Sequence, residues 1–530
     1  MTGSHSADPG HNQGVCVPAA LEAAISRAVD HLAAYGDTDI FQSPLDGLAL
    51  FRNREVAIAS VTAHHHHFDA LATLDPPEII RSLVPSGYHS LRLGSQIPPI
   101  WNAYYLSLVI ACAPAIERLR APPQSVFSYR FEPSAEAPRL FDPSVGWGGF
   151  MEATREKCLR HTHVLVTDIG DFYHRIRIDP LVVALRRTGV ADTLVDRLAQ
   201  LLRLLDVDRF GLPIGGSASR LLAELALARF DDGVRNAGIC CLRFVDDLRV
   251  FADDEVQAHK HLQAISELAW NEGLSLQKGK TRVMRSRDLL EELDLASSIA
   301  VLVGDDGAER TTRPLYSHDP YAELRAQVDQ GLVRFASKPD AATRVLREFA
   351  KVRLNLSLAR NLLAALRFME ASELGPLLVK LLEDCERPAM VPVFMRVLEA
   401  IDANLDRLSP AIVSGLRDRL LAFLEGDGAV AGIDLHRALT LRLLCRTPPG
   451  QEGCVPEAVR ARWRAEASSL VMREALALCA AWEDRTAHRE LADGDYLGPW
   501  ERAIAGMNRD QVRSLCRALE VAREQIATTE

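Results

Sequence analysis

The sequence predicts an α+β fold: an antiparallel sheet with helices against it, followed by an all-α helical repeat domain. Three observations carry this. Short apolar runs, "HVLVTDI", "CCLRFV" and "LRVFA", read as strands, and the last two flank an Asp-Asp pair. From about Asp319 onward nearly everything is Leu, Ala, Arg and Glu at helical spacing. The chain has 530 residues, 48% hydrophobic and 25% charged. That is a globular composition with ample core material, and at roughly 150 residues per domain it suggests more than one domain.

In chain order, residues 1–16 are rich in Gly, Ser, His, Asn and Asp and are expected to be disordered. Residues 17–160 form an N-terminal region. It opens with a helical pattern from about Pro18 to Tyr35 and is punctuated by "LDPPE", "VPSG" and "QIPP". "VFSYRF", Val126 to Phe131, alternates like a strand. Residues 161–310 carry the sheet. "HVLVTDI" reads as a buried strand, "PLVVALRRTGV" and "TLVDRLAQLLRLL" as helices. "CCLRFV" and "LRVFA" form a hairpin around Asp246-Asp247, since Asp tolerates the positive φ of a two-residue turn. A helix ending near Gly273 follows. Residues 319–530 are all-helical, and segments such as "GPLLVKLLEDCE" and "AIVSGLRDRLLAFLEG" fit stacked antiparallel pairs.

The net charge of −10 argues against a protein that binds nucleic acid over its whole surface, but leaves room for a local basic channel. The 10 cysteines show no repeated spacing and no C-x-x-C. With no signal-peptide pattern, a cytoplasmic protein with reduced thiols is expected. The apolar stretch Ala103 to Ile116 contains Pro114 and is too short to span a bilayer, so no membrane partner is expected. "HHHH", His64 to His67, reads as a solvated loop, because four consecutive histidines cannot all face one ion in regular structure.

Two sets of carboxylates suggest chemistry. Asp246-Asp247 sits at a hairpin tip, and Asp168 ends a buried strand. Carboxylates on neighbouring strands suit Mg²⁺, which takes one or two of them together with substrate phosphates. Two such ions activate an attacking hydroxyl and stabilise the leaving oxygen of an in-line displacement. Asp253-Asp254 instead precedes a helix, where the carboxylates cap it. Between Asp168 and the hairpin lies "GLPIGGSASRLLAEL", a Gly-rich turn feeding a helix capped near Ser217, which lets backbone at Gly215 approach a nucleotide.

In order, the chain shows a strand ending in Asp168 with an aromatic five residues on, a G-L-P-x-G turn and helix, an aromatic-x-Asp-Asp hairpin, and "GLSLQKGKT". This resembles the palm of a reverse transcriptase, motifs A to D, over about Val164 to Met284. The resemblance implies a fingers-palm architecture with residues 17–160 fingers-like and 161–310 the palm. It implies catalysis by Asp168, Asp246 and Asp247, with two Mg²⁺ ions, for which Mn²⁺ can substitute. Asp168, Asp246, Asp247 and the backbone carbonyl of Ile169 would be the metal ligands. Tyr173 would stand against the sugar and favour deoxynucleotides. Gly215, Lys280 (or Lys278), Arg92 and Arg130 would bind the nucleotide, the two arginines as forked phosphate donors.

One position departs from the pattern. Ile214 stands where viral reverse transcriptases carry Gln, which leaves templated and untemplated synthesis both open. "GDTDIFQSPLDG", "VFSYRF", "GLPIGGSASRLLAE" and the helical half together resemble the abortive-infection and defence-associated bacterial reverse transcriptases, in which a HEAT-like domain replaces the thumb. That wider resemblance implies RNA-directed or protein-primed DNA synthesis from dNTPs in antiphage defence. It also implies an RNA or DNA strand as partner, a non-coding RNA among the candidates, and a homo-oligomer or partner defence protein. Tyr316, Tyr321 and Tyr496 are the candidate priming hydroxyls. The rival reading is a non-catalytic scaffold that binds a partner protein or RNA.

Overall fold

In the computed structural model, α1 (Ala19–Tyr35) and α2 (Arg54–His66) pack on a long helix, α4 (Pro99–Glu117), with α3 (Phe68–Leu74) between them in sequence. The structure describes residues 19–36, 47, 50–51, 53–74, 76–205, 211–301, 330–450, 454–466, 468–492 and 504–512. The expected disordered segment 1–16, most of "GDTDIFQSPLDG" and the candidate primers Tyr316, Tyr321 and Tyr496 lie outside the described residues. Pro99 opens α4 at the first helical position, where its fixed φ suits the turn and its missing N–H is not needed. α4 is apolar around its whole circumference, the pattern of a helix buried on all sides. By length and composition it could cross a membrane, but 83% of its most apolar window is buried inside the protein.

The expected histidine loop is helical. His64 to His66 form the last turn of α2 and His67 is its C-cap; His64 and His65 are half-buried against α4, while His66 and His67 are exposed as expected. His64 meets Trp101 edge-on at 4.9 Å between centroids, while His65 Nδ1 lies 3.0 Å from the Tyr104 hydroxyl. The two half-buried histidines thus go to different aromatic partners on α4.

Between α3 and α4 the chain forms a two-stranded hairpin of β1 (Ile80–Gly87) and β2 (Ser90–Gln96). "VFSYRF", expected as a strand, is not one. Only Val126 and Phe131 make isolated bridges, and Tyr129 has φ 45°. The carbonyls of Ser128 and Tyr129 accept instead from the buried Arg120 guanidinium, at 2.5 and 2.8 Å. Backbone spent on a side chain cannot join a ladder.

α5 (Trp147–Cys158) leads into a four-stranded sheet. Its strands are β3 (His163–Asp168), β4 (Cys241–Phe244), β5 (Asp247–Ala252) and β6 (Arg282–Arg285), in the order β4-β5-β3-β6 and all antiparallel. Val164, Leu165, Leu242, Leu248 and Val250 fill the core beneath them. After β3 come α6 (Phe172–Arg175), α7 (Ile178–Arg187), α8 (Asp192–Leu205), α9 (Ser217–Ala226) and α10 (Ala228–Asn236). α11 (Glu255–Asn271) and α12 (Ser286–Val301) flank β6.

From residue 330 the described chain is helical. Its main helices are α13 (Gln330–Ala336), α14 (Ala341–Phe349), α15 (Leu356–Ala365), α16 (Ala371–Glu383), α17 (Phe394–Asp402), α18 (Pro410–Glu425), α19 (Asp434–Cys445), α20 (Glu457–Glu466), α21 (Ser469–Trp482) and α22 (Arg485–Ala492). From α13 to α21 each helix packs on the one two places along, so the helices stack in two layers around one core. The β1–β2 hairpin joins this half to the rest. Ile80 and Val84 bury among Ile433, Leu435, Ala438 and Leu470, and the Tyr88 hydroxyl donates to the Leu354 carbonyl at 2.5 Å.

Candidate active site

Asp168 is the last residue of β3 and Asp247 the first of β5, and the two are direct register partners. Such partners on an antiparallel pair project to the same face. Asp246 lies one residue before, in the turn between β4 and β5. The sequence suggested Asp246-Asp247 as the turn; the turn residues are Val245-Asp246. The left-handed backbone accordingly falls on Val245, at φ 55°, and not on an aspartate. A β-branched residue in that conformation stores on the order of 1–3 kcal/mol.

Three loops are tied together around these carboxylates. The Ile169 N–H donates to the Asp246 carbonyl at 3.0 Å, and Ile169 also bridges Leu276. The Gln277 N–H donates to the Asp168 carbonyl at 2.7 Å, and the Gly170 N–H to that of Ser275 at 2.9 Å. The Thr167 and Thr281 hydroxyls meet at 2.7 Å. "GLSLQKGKT" is thereby fastened to the end of β3, which brings Lys280 to the carboxylates.

Burial, then the charges of Asp168 and Asp247, push the Asp246 carboxyl up to about 7. Burial also raises Asp168 and Asp247, against the pull of neighbouring cations. Lys280 is ion-paired to Asp168 through its Nζ. Burial opposes its charge, but Asp168, Asp247 and Asp246 outweigh burial and raise it. Arg92, exposed on β2, lends its charge to Asp168 and Asp247. Arg249 of β5 was not singled out from the sequence. Its Nη1 is 3.8 Å from Asp247, and its guanidinium lies over the Phe150 ring at 5.4 Å.

A concentration of half-buried carboxylates that resist joint ionisation suits a divalent cation. Among the described residues no group of three or more His, Cys, Asp or Glu side chains is arranged to hold a metal ion by itself. Mg²⁺ as a class needs fewer protein ligands than that, since it takes one or two carboxylates and completes its shell with water and substrate phosphates.

Tyr173, in α6, is half-buried against the palm core, and its hydroxyl is raised by burial, with Asp246 among the nearby charges. Its carbonyl accepts from the Leu212 N–H at 3.0 Å, which docks the Gly-rich turn beside it. Gly211 is required there. At φ 68°, an added Cβ would lie 2.5 Å from the Tyr173 carbonyl oxygen. Gly215 also has positive φ, 111°, before Gly216 caps α9. Ser217, expected as the cap, is instead the first helical residue, and its hydroxyl meets His31 Nε2 at 3.0 Å. Burial lowers His31 to about 4, so its neutral ring donates to the Pro138 carbonyl through Nδ1 and accepts from Ser217. Ile214 and Pro213 line a small cavity with Gln96, Asn102, Tyr105 and Ser219.

Two arginines reveal what the sequence hides. Arg130, expected at the nucleotide, turns inward, where its fork holds Glu117 at 2.7 Å and the Ala121 carbonyl. Arg243, not anticipated, is wholly buried and contacts Glu224, Asp231 and the Val245 carbonyl. A charged residue between Leu242 and Phe244 in an otherwise apolar strand was the available signal. At the other end of β5, the Asp254 side chain caps α11 through the Gln257 N–H, and Asp253 pairs with His161. That pair is occupied at a helix start.

Residues 111–311 match the family model described as reverse transcriptase (RNA-dependent DNA polymerase). The chain carries a reverse-transcriptase domain. No curated protein matches it. Among solved structures, a telomerase from Candida albicans, in complex with a TWJ fragment of telomeric RNA, is similar at 11% identity over 68% of each chain with a TM-score of 0.27. So low a score says nothing further about this molecule.

Proposed function

We propose that the chain is a Mg²⁺-dependent DNA polymerase of the reverse-transcriptase type, acting in bacterial antiphage defence from the cytoplasm. The carrying observation is the register pairing of Asp168 with Asp247, with Asp246 in the adjoining turn, inside a reverse-transcriptase domain. Asp168, Asp246 and Asp247 would hold the metal, with the Ile169 carbonyl beside them. Bound there, Mg²⁺ supplies Lewis-acid activation of the attacking hydroxyl and charge relief at the leaving pyrophosphate.

The chain's own residues orient the rest. Lys280 and Arg92 flank the carboxylates and take the triphosphate oxygens of a dNTP. Tyr173, held by the Gly211–Leu212 turn, closes the space against a ribose 2′-hydroxyl. Gly215 lets the backbone approach the nucleotide. The strand bound is RNA or DNA, a non-coding RNA included, or the first nucleotide joins a hydroxyl of the protein itself. The two-layered helical half serves as a HEAT-like domain for self-association or for a partner defence protein.

The test is to incubate the purified protein with Mg²⁺ and labelled deoxynucleotides, with and without a primed RNA, beside Asp246→Ala and Asp247→Ala. Product that depends on both aspartates supports the polymerase. A protease-sensitive shift identifies protein priming, and sensitivity to RNase before the reaction identifies a bound RNA template. No product under any of these conditions leaves a scaffold that binds a partner without catalysis. Cells carrying the gene in its native neighbourhood should resist phage, and failure against a broad panel removes the defence role.

A further inference from the structure

The turn that carries Asp246 does not hold itself. Val245 is β-branched and sits at φ 55°, a conformation such a residue rarely adopts unaided. Its carbonyl accepts a hydrogen bond from Arg243 Nη1 at 2.9 Å. The rest of that guanidinium is clamped. Nε and Nη2 reach Asp231 of α10 at 2.8 and 2.6 Å, and Nη2 also reaches Glu224 of α9 at 2.9 Å. Glu224 is itself gripped by Arg120 Nη2 at 2.8 Å and by the Ser128 hydroxyl at 2.5 Å. From the other side, the Ile169 N–H holds the next carbonyl, that of Asp246. The turn is thus fixed at two successive carbonyls, once by Arg243 of β4, itself anchored on α9 and α10, and once by Ile169, which follows β3.

A buried ion network of this depth is weak support for stability, since well-packed apolar residues often do as well. What it supplies here is geometry. Burial opposes the charge on Glu224, but Arg243 and Arg120 overcome it and hold the carboxyl below its usual range, whereas burial raises Asp231 against the pull of Arg243.

We propose that Arg243 is a positioning residue: anchored by Glu224 and Asp231, it holds Val245 in the left-handed conformation and so aims Asp246 toward Asp168. This rests on the polymerase reading given above. It also gives the buried charges of α9 and α10 a task, to set the metal-binding geometry through the backbone of the turn.

Arg243→Lys keeps a positive charge beside Glu224 and Asp231, but one ammonium cannot serve both carboxylates and the Val245 carbonyl as the fork does. Val245→Gly makes the left-handed backbone free of strain, so the turn no longer depends on the clamp. Both changes, singly and together, are tested in the full chain. The readouts are Mn²⁺ affinity by electron paramagnetic resonance, nucleotide incorporation, and thermal unfolding. Arg243→Lys is expected to weaken Mn²⁺ binding about tenfold and to slow incorporation roughly 10–100-fold, the range for residues that orient metal ligands from behind. Val245→Gly alone is expected to bind within about twofold of wild type, and in the Arg243→Lys background to restore most of the loss.

Equal loss in both backgrounds, or no loss in Arg243→Lys, overturns the proposal. If Arg243→Lys does not fold, Asp231→Asn loosens one side of the clamp. Its loss of Mn²⁺ affinity should likewise be rescued by Val245→Gly, and absence of rescue overturns the proposal as well. Wild type that binds Mn²⁺ at the aspartates without incorporating nucleotide removes the polymerase reading, while the Mn²⁺ affinities still decide the role of Arg243. Wild type that binds no Mn²⁺ overturns both.

Discussion

Asp246 bears the largest electrostatic load among the site carboxylates. Its carboxyl titrates near 7 in the folded protein, raised first by burial and then by Asp168 and Asp247, against an ordinary value of 3.8. A raised carboxylate works against the metal-free fold. Between about pH 4 and 7 the folded protein holds a proton that the unfolded chain has released, so stability falls as pH rises through this window. Above about 7 the penalty is complete; below about 4 it vanishes. In chelator, the melting temperature should therefore drop as pH rises across this window, and Asp246→Asn should flatten the dependence. An unchanged slope in the variant would contradict the assignment. Gly211 tests the turn beside Tyr173. Gly211→Ala brings a Cβ to 2.5 Å from a carbonyl oxygen at positive φ, whereas Gly279 has nothing within 4 Å. Gly211→Ala should lose at least ~1–3 kcal/mol by denaturant unfolding, while Gly279→Ala should stay near wild type.

Elements were legible where local pattern and tertiary demand agree. β3 was plain because its apolar run is buried in mid-sheet, and the Asp254 cap of α11 because an N-cap is a local device. The order of the motifs already placed Asp168 and the hairpin carboxylates on one sheet, and their register brings Asp168 opposite Asp247. Elements were illegible where a distant side chain decides. "VFSYRF" alternates like a strand, but Arg120 takes its carbonyls. "HHHH" looks like solvated loop, but its first three residues are helical and Trp101 and Tyr104 receive His64 and His65, while His66 and His67 do face solvent. Ser217 looks like a cap, but His31 takes its hydroxyl. Arg92 and Arg130 are alike in sequence, and only the fold leaves one exposed on β2, where its charge reaches Asp168, and turns the other into a buried pair with Glu117. For β2, Arg92→Ala should raise the dNTP KM several-fold with little change in melting temperature. A collapse in stability would instead mark Arg92 as structural.

Across the whole molecule, the β1–β2 hairpin is a bridge. Ile80 and Val84 bury in the helical half beside Leu435, while Arg92, the register partner of Val84, lends its charge to Asp168 and Asp247. On the proposed function, the helical half would act on the nucleotide through this hairpin. Leu435→Ala, within the helical half, should raise the dNTP KM as Arg92→Ala does, and the two effects should not add, because they act on the same hairpin. Steady-state kinetics of the two single variants and the double variant decide this. Full additivity would mean that the helical half does not act through Arg92.

Asp168, Asp246 and Asp247 are proposed to form one metal-dependent nucleotide site. Crystals soaked with Mn²⁺ and a non-hydrolysable dNTP analogue, measured for anomalous scattering, would locate both ligands. A Mn²⁺ peak is expected between Asp168 and the Asp246–Asp247 pair, with the triphosphate beside Lys280 and Arg92, and no peak in Asp246→Asn crystals. Nucleotide bound elsewhere, or a peak that persists without Asp246, would contradict it.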